Sequence, residues 1–369
     1  MIRFQVLGRD GAARAGTLRT SRGGVATPAF MPVGTQGTVK AMTPEELRAV
    51  GAEIILANTY HLHLRPGEGI VKALGGLHRF MHWPGPILTD SGGFQIFSLA
   101  TLNEVTEEGV HFRNHLDGDA VFLSPEKAVA IQEALGSDIM MCLDQLPGLP
   151  AKEAELAEAV ARTTRWAERC KAARQGESAL FGIVQGGTSE TLRTESAQAI
   201  TEIGFDGYAI GGLGVGEPGP EMIATAALTA PLLPEEAPRY LMGVGEPEDL
   251  LEAVGAGIDL FDCVLPTRDA RNGTLFTSRG KISIKQARYR ADPAPLDPGC
   301  ACPTCTGYSR AYLRHLFSAK EILSSRLNTF HNLFFYLGLM ARARKAILAG
   351  SYRNFVGDFL ARYREGPGD

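Results

Sequence analysis

Long apolar runs are missing from the sequence, and cysteine is scarce. No apolar stretch approaches the roughly 20 residues that a membrane-spanning helix needs, so a membrane protein is not expected. Residues 1–10 are polar and strand-like, so no targeting segment is visible and the cytoplasm is the expected location. Six cysteines in 369 residues, without a signal peptide, argue against a disulfide framework. The sequence also has no internal repeat and no low-complexity tract.

Charge is spread unevenly along the chain. The net charge is −4, yet residues 268–369 carry 17 Lys/Arg against 7 Asp/Glu, a net +10. Residues 1–267 therefore carry 20 against 34, a net −14. A basic terminal third on an acidic body indicates a polyanionic partner, although a solvated basic helical surface would have the same composition.

Apolar and β-branched runs recur about every 30 residues, and helical patterns lie between them. Continuous apolar runs are typical of strands buried on both faces of a parallel sheet. The strand candidates are residues 54–56, 87–88, 139–143, 180–184, 208–210, 240–242 and 260–265. Ser189 is the expected cap of one intervening helix, and Pro247 is expected at the start of another. The alternation predicts an α/β fold, an irregular (β/α)8 TIM barrel. A doubly wound open sheet is the alternative, but no G-x-G-x-x-G follows the first strand.

Two segments interrupt the repeat within the predicted barrel domain, residues 1–290. Residues 1–37 are rich in strand and turn signals and predict an N-terminal antiparallel β element, for which we expect a position over the barrel bottom. Residues 103–123, with a turn at Asp117-Gly118, predict a β insertion. Residues 291–369 are predicted to form a zinc-binding helical subdomain packed on the barrel.

A zinc site is predicted from Cys300, Cys302, Cys305 and His331. The pattern C-x-C-x2-C with a downstream histidine supplies four ligands for a tetrahedral ion. The histidine lies on a helix predicted through residues 328–343. Because no vertex stays open, the zinc is expected to be structural. The alternative is that the cysteines are ordinary small core residues.

Polar residues end most of the strand candidates. Asp90, Asp144, Gln185 and Asp262 each stand at such an end, and in a barrel these ends meet at one mouth. Taken alone, Asp90 could be a turn-forming residue and Asp144 could cap a loop. Asp262 is the hardest to dismiss, because it lies within the apolar run 257–265 and a buried charge needs a partner or a role. Together, the three carboxylates favour a functional site.

Three carboxylates without a nearby metal triad suggest glycosyl chemistry. One aspartate attacks an anomeric carbon and a second transfers protons. A third aspartate and a glutamine amide suit the donor and acceptor edge of a purine, and neighbouring glycines let the backbone approach that edge. With the basic terminal third, these features point to a base-exchanging enzyme that acts on nucleic acid.

Several motifs resemble those of bacterial tRNA-guanine transglycosylases and follow the family's order over roughly residues 25–340. They are Asp90-Ser91-Gly92-Gly93-Phe94-Gln95, Phe181-Gly182-Ile183-Val184-Gln185-Gly186, Gly211-Gly212-Leu213, Val215-Gly216-Glu217, Tyr240-Leu241-Met242-Gly243-Val244-Gly245, Phe261-Asp262-Cys263-Val264-Leu265-Pro266-Thr267-Arg268 and the cysteine loop with His331. The resemblance implies an irregular (β/α)8 barrel with a zinc subdomain, one structural Zn²⁺ per chain, no organic cofactor and a homodimer.

The resemblance also implies roles for individual residues. Asp262 matches the nucleophile and Asp90 the general acid/base. The positions that match the substrate-binding residues are Ser91, Phe94, Asp144, Gln185, Gly212, Leu213 and Glu217. Arg268 and Arg271 match residues that bind the tRNA anticodon loop. The implied reaction exchanges guanine at the first anticodon position of tRNAs for Asp, Asn, His and Tyr for 7-aminomethyl-7-deazaguanine, in queuosine biosynthesis.

Alternatives concern the incoming base and the class of protein. Gln145-Leu146 departs from the Glu-Cys of many bacterial members, which leaves direct insertion of queuine open. A non-catalytic tRNA-binding subunit would have little need of Asp90 and Asp262. A barrel enzyme acting on a small molecule would not use the basic terminal third. The absence of an added RNA-binding domain near residue 369 favours the anticodon as the target.

Overall fold

Nine parallel strands form a barrel in the computed structural model, which describes residues 2–99, 101–147 and 151–366. Their order around the barrel is Ala29–Met31, Leu260–Asp262, Arg239–Leu241, Gly207–Ile210, Ala179–Val184, Ile139–Met141, Ile87–Thr89, Ile55–Ala57 and Val33–Gly34. The first and last of these flank Pro32, so they are two halves of one strand. Pro32 still accepts a hydrogen bond from Leu56 N at 3.0 Å, and the sheet closes through it. The predicted barrel is thereby confirmed.

Seven of the eight barrel strands lie where the apolar runs predict them, and one was missed. Residues 29–34 fell within the segment assigned to the N-terminal β element. Pro32 divides their short apolar run, and a proline normally argues against a central strand. Leu265 was also misplaced: it begins helix Leu265–Arg271 instead of ending a strand, with Pro266 in the first turn.

Helices follow most of the strands and surround the barrel. Those before residue 290 are Pro44–Ala49, Thr59–Leu64, Glu68–Ala73, Gly76–Met81, Gly93–Leu99, Pro125–Leu135, Glu153–Ala173, Glu190–Ile203, Gly219–Thr229, Pro247–Gly255 and Leu265–Arg271, with 3₁₀ turns at Ala230–Leu232 and Ala287–Ala291. Ser189 caps its helix, because its hydroxyl accepts a hydrogen bond from Leu192 N at 3.4 Å. Pro247 is the first residue of the next predicted helix. No helix in the described ranges is both long and apolar enough to cross a membrane.

The N-terminal antiparallel sheet covers the bottom of the barrel. Its strands are Arg3–Asp10, Ala13–Thr20 and Gly23–Thr27. Leu18 and Val25 of this sheet pack into the apolar interior of the barrel. Arg14 forms a buried ion pair with Asp259, which stands directly before a barrel strand. This attachment fixes the lower end and leaves the opposite mouth for polar side chains.

The β insertion and the C-terminal helices complete the fold. Strands Thr101–Val105, Val110–Arg113 and Ala120–Leu123 form the antiparallel insertion, and Asp117-Gly118 lies in the turn before its third strand. A hairpin, Thr274–Thr277 with Gly280–Ser283, precedes the C-terminal helices Pro303–Gly307, Arg310–Ser318, Ile322–Leu348 and Tyr352–Arg364. Leu275 and Ile282 of the hairpin share an apolar cluster with Cys302. The domain boundary at 290/291 stays a prediction.

Candidate active site and metal centre

Asp90 is buried at the mouth of the barrel and is held by three donors. It follows strand Ile87–Thr89, and its side chain accepts hydrogen bonds from Thr59 N at 2.8 Å, from Gln95 Nε2 at 2.9 Å and from the amide of Asn58. Burial raises the pKa of Asp90 to about 6, although the bonds from Asn58, Thr59 and Gln95 oppose the shift. A carboxyl group with this pKa can both donate and accept a proton near neutral pH.

Asp262 ends strand Leu260–Asp262, which two other strands separate from strand Ile87–Thr89 around the barrel. Its Oδ1 accepts hydrogen bonds from Tyr240 Oη at 2.5 Å and from Gly243 N at 2.9 Å. Burial raises the pKa of Asp262, and the bonds from Tyr240 and Gly243 counter that shift. Oδ2 receives no hydrogen bond from the described residues. One carboxylate oxygen is therefore fixed, and the other stays available to a ligand.

Asp90 and Asp262 face the same space. The negative charge of Asp262 contributes to the raised pKa of Asp90, and both carboxylates contribute to the raised pKa of the Tyr240 hydroxyl after burial. An electrostatic effect of this kind weakens with distance and with solvation, so it is consistent with both carboxylates lying in the same poorly solvated region. The two groups differ in their surroundings, because amides surround Asp90 whereas a phenol and one backbone N–H hold Asp262.

Asp144 and Gln185 form the second half of the site, on neighbouring strands. Gln185 Nε2 donates to Asp144 Oδ2 at 2.6 Å, and the Ser91 hydroxyl lies 3.5 Å from Asp144 Oδ1. Burial raises the pKa of Asp144 to about 6, while the bonds from Gln185 and Ser91 lower it. The backbone at Gly212 passes directly over the Gln185 amide. A Cβ at this position would lie 2.2 Å from Gln185 Oε1, and its φ is +68°, so only glycine fits.

The backbone beside Gln185 is held from behind by Arg193. This buried arginine donates to Val184 O at 3.0 Å and to Gly211 O at 2.8 Å. Burial lowers the pKa of Arg193 to about 9, and the charge of Glu217 opposes this. Glu217 itself accepts hydrogen bonds from Val215 N at 3.1 Å and from Gly214 N. Its carboxylate thereby shapes the loop that follows Gly212 and the buried Leu213.

Phe94, Arg268 and Arg271 lie on helices that begin just beyond the strand ends. Phe94 is 53% exposed on helix Gly93–Leu99, so its ring is available for stacking. Arg268 and Arg271 are one turn apart on helix Leu265–Arg271, directly after Asp262. The Arg268 side chain is 54% exposed, and Arg271 Nη1 donates to Thr267 O at 2.7 Å. All sequence-predicted residues of the mouth therefore come from strand ends or from the elements that follow them.

Cys300, Cys302, Cys305 and His331 form one compact cluster whose ligand atoms all lie within 4.8 Å of one another. His331 Nδ1 is 3.8 Å, 3.5 Å and 3.3 Å from the sulfur atoms of Cys300, Cys302 and Cys305. Tetrahedral zinc with Zn–S of about 2.3 Å and Zn–N of about 2.0 Å places such atoms about 3.5 Å apart. The donor set and its spacing therefore fit a metal ion of this type, and four protein ligands leave no vertex for a substrate.

The cluster is connected to the arginine-bearing helix. His331 Nε2 contacts Phe276 O at 2.7 Å, which orients Nδ1 toward the thiols. The next residue, Asn332, donates to Pro266 O at 2.9 Å and accepts from Phe276 N at 3.1 Å. Helix Ile322–Leu348 thus joins the metal ligands to the helix that carries Arg268 and Arg271.

Sequence reasoning gave no role to three side chains that hold the site together: Asn58, Gln95 and Tyr240. Gln95 and Tyr240 lay inside recognised motifs, whereas Asn58 directly follows strand Ile55–Ala57 and fits the rule applied to the other strand ends. Asn58 therefore carried a signal that the rule could have used, because its strand was predicted from the apolar run 54–56.

The fold and the site define a (β/α)8 barrel with buried carboxylates at its mouth and a Cys₃His cluster beside it. A sequence profile of the family described as queuine tRNA-ribosyltransferase matches residues 10–365. Proteins of that name are 57% identical in Solidesulfovibrio magneticus over 360 residues, 97% of this chain and 96% of the relative, and 56% identical in Moorella thermoacetica over 368 residues, 99% of each. In Thermodesulfovibrio yellowstonii the identity is 55% over 362 residues, 97% and 94%.

The chain belongs to the queuine tRNA-ribosyltransferase family. The predictions of this family and of a transferase are confirmed by these matches. The roles of the individual site residues stay predictions.

Proposed function

We propose that the protein is a tRNA-guanine transglycosylase that exchanges guanine at the first anticodon position for 7-aminomethyl-7-deazaguanine. Its targets are tRNAs with GUN anticodons, which carry Asp, Asn, His and Tyr. The observation that carries the proposal is that Asp90 and Asp262 are both buried at carboxyl ends of strands of one barrel and have different hydrogen-bond partners. Two carboxylates in different environments can divide a double displacement between them.

Asp262 is the proposed nucleophile. With Oδ1 held by Tyr240 and Gly243, its Oδ2 attacks C1′ of the extruded nucleotide and forms a ribosyl ester as the bond to guanine breaks. Asp90 donates its proton to the departing guanine. It then accepts a proton from the incoming base, whose nitrogen attacks C1′ and releases Asp262. Two inversions at C1′ retain the configuration of the ribose.

Asp144 and Gln185 are the proposed readers of the base edge. A carboxylate accepts from purine N–H groups, whereas an amide both donates and accepts. The backbone of Gly212 and Leu213 lies beside Gln185 and extends the same edge, and Ser91 contacts Asp144. Phe94 is proposed to stack on the base, and the 53% exposure of its side chain supports this role. Glu217 is proposed to set the orientation of the loop that faces the incoming base, and its contacts with Gly214 and Val215 support this role.

The remaining assignments concern RNA, metal and assembly. Arg268 and Arg271 are proposed to bind anticodon-loop phosphates, in keeping with the net +10 of residues 268–369. The Cys₃His cluster would hold one structural zinc ion, whose positive charge would stabilise the grouped thiolates. No organic cofactor is needed for this chemistry. A cytoplasmic homodimer is the expected state of the protein.

Incorporation of labelled guanine into a tRNA with a GUN anticodon tests the proposal. Label should enter only at the first anticodon position. Asp262→Asn should abolish exchange and the covalent RNA adduct seen on a denaturing gel, whereas Asp358→Asn, an exposed charge-neutralising control, should retain both. An adduct that persists in Asp262→Asn, or label at another position, would refute the assignment.

A further inference from the structure

Four cations next to the C-terminal subdomain have no carboxylate partner among the described residues. Lys285, Arg288 and Arg290 are exposed and Arg314 is half-buried, and we name these four residues the basic track. Asp292, the nearby carboxylate, is already paired with Arg310 at 3.0 Å. The track therefore carries an uncompensated local charge.

The basic track differs from other arginine clusters of this chain. On helix Glu153–Ala173, Arg165 and Arg169 each make a two-oxygen contact with a glutamate, at 2.7 Å and 2.8 Å and at 2.7 Å and 2.9 Å. Those arginines serve intramolecular attachment.

Two guanidinium groups of the track, those of Arg288 and Arg314, are each held by a hydrogen bond at Nε. Arg288 Nε donates to Gln286 Oε1 at 2.8 Å, and Arg314 Nε donates to Gln286 O at 3.0 Å. The Arg288 guanidinium also lies 5.0 Å from the centre of the Tyr289 ring. Neither Nη pair has a hydrogen-bond partner within the described residues. Oriented guanidinium groups with free Nη atoms suit phosphate oxygens.

The track is continuous with the proposed anticodon-binding arginines. Gly273 follows Arg271 by two residues and accepts a hydrogen bond from Ile284 N at 2.9 Å. Its Cα packs so closely against the Phe317 ring that a Cβ would lie 2.9 Å from that ring. Lys285 Nζ lies 5.3 Å from the centre of the same ring. The positive surface thus extends from the barrel mouth through Lys285 to Arg288 and Arg314.

We propose that the basic track binds the phosphate backbone of the tRNA outside the anticodon loop, in the stem that continues from it. The inference rests on the proposed function, because that function places the loop at the barrel mouth. An RNA strand that leaves Arg268 and Arg271 would next meet Lys285. The track would contact phosphates and no base edges, so its contribution to affinity would not depend on the sequence of the stem.

The test compares the double variant Lys285→Ala/Arg288→Ala with the control Arg3→Ala/Arg19→Ala. Arg3 and Arg19 are exposed cross-strand partners on the sheet at the barrel bottom, so the charge change is the same. Binding is measured against salt for full-length tRNA and for a hairpin truncated close to its loop. Thermal unfolding of each variant reports whether it is folded.

Each phosphate contact contributes about 0.7 to 0.9 to the slope of log affinity against log salt. Because two cations are removed, the slope of the track variant should be smaller in magnitude by about 1.5. A fourfold rise in salt should then weaken wild-type binding about eightfold more than variant binding. The control should keep the wild-type slope, and the truncated hairpin should bind all three proteins equally. If the double variant were unstable, Arg314→Gln alone should lower the slope by about 0.8.

An unchanged slope for full-length tRNA, or an equal loss on the truncated hairpin, would overturn the assignment of the track to the stem. A slope that falls as much in the control would also overturn it. Base exchange by the wild-type protein on full-length tRNA separates the two proposals. If that exchange is absent, the proposed function is refuted. If exchange occurs but the salt dependence of the track variant is unchanged, only the assignment of the basic track to the stem is refuted.

Discussion

Replacing Asp144 with asparagine should stabilise the protein and lower its affinity for the base. Asp144 is buried at the barrel mouth, where burial raises its pKa from 3.8 to about 6. In the unfolded chain this carboxyl ionises freely. At neutral pH the folded state therefore contains an ionised Asp144 carboxylate, and the burial of this charge is destabilising. Asparagine keeps the size and the acceptor oxygen that Gln185 Nε2 contacts at 2.6 Å, and it removes the charge.

The size of the effect follows from proton linkage. The pKa of Asp144 rises by about 2 units on folding, which corresponds to about 3 kcal/mol of free energy of unfolding at 1.36 kcal/mol per unit. Because the folded-state pKa of Asp144 is raised, its stabilising contribution is fully present below pH 4 and is lost as the pH rises through 6. Asp144→Asn should thus gain about 3 kcal/mol at pH 8 and about half of that at pH 5.

Urea unfolding at pH 5 and pH 8 measures both values, with Asp358→Asn as the exposed control. The same variant should raise the KM for guanine about ten- to a hundredfold, because a charged hydrogen bond contributes about 1.5 to 3 kcal/mol. Lower stability of Asp144→Asn at pH 8, or a gain independent of pH, would show that the ionised carboxylate is not disfavoured in the fold. An unchanged KM would show that Asp144 does not contact the base.

Three further predictions concern the rest of the site. Cys302→Ser should reduce bound metal to well below one ion per chain by atomic spectroscopy and lower the unfolding midpoint, and a full complement would contradict the ligand set. Tyr240→Phe should lower kcat about tenfold or more with little change in the KM for tRNA, because the hydroxyl contacts Asp262 at 2.5 Å. Asp90→Asn should abolish exchange, and the wild-type rate should inflect near pH 6; residual exchange in the variant with the same inflection would exclude Asp90 as its source.

The barrel was predictable because seven of its eight strands are uninterrupted apolar runs, and a buried parallel strand leaves such a run in any sequence. The eighth was not, because Pro32 divides it into strands of three and two residues, Ala29–Met31 and Val33–Gly34. Its pairing is decided by closure of the barrel. Neighbouring strands supply the hydrogen-bond partners on both sides, and no local preference for extended structure is needed.

The positions of the polar strand ends were predictable for the same reason, but their pairings were not. Sequence order places Asp144 before Gln185 and Asp90 after Asn58, but it does not indicate which amide contacts which carboxylate. Those contacts depend on strand register, which aligns Ala57 with Thr89 and so brings Asn58 next to Asp90. The raised pKa of each carboxyl follows from burial, which is likewise a property of the closed barrel.

A structural metal beside an active site can affect the reaction through the helices it fixes. His331 binds the thiol cluster on one side, and Asn332, the next residue on the same helix, holds Pro266 O at 2.9 Å. Pro266 lies in the first turn of the helix that carries Arg268. Without a cation, three grouped thiolates would repel one another or take up protons, and this end of helix Ile322–Leu348 would lose its anchor. A metal ion held by this cluster would thus support the proposed RNA contacts through helix Ile322–Leu348, which is why four protein ligands with no open vertex are compatible with the proposed catalysis at the barrel mouth.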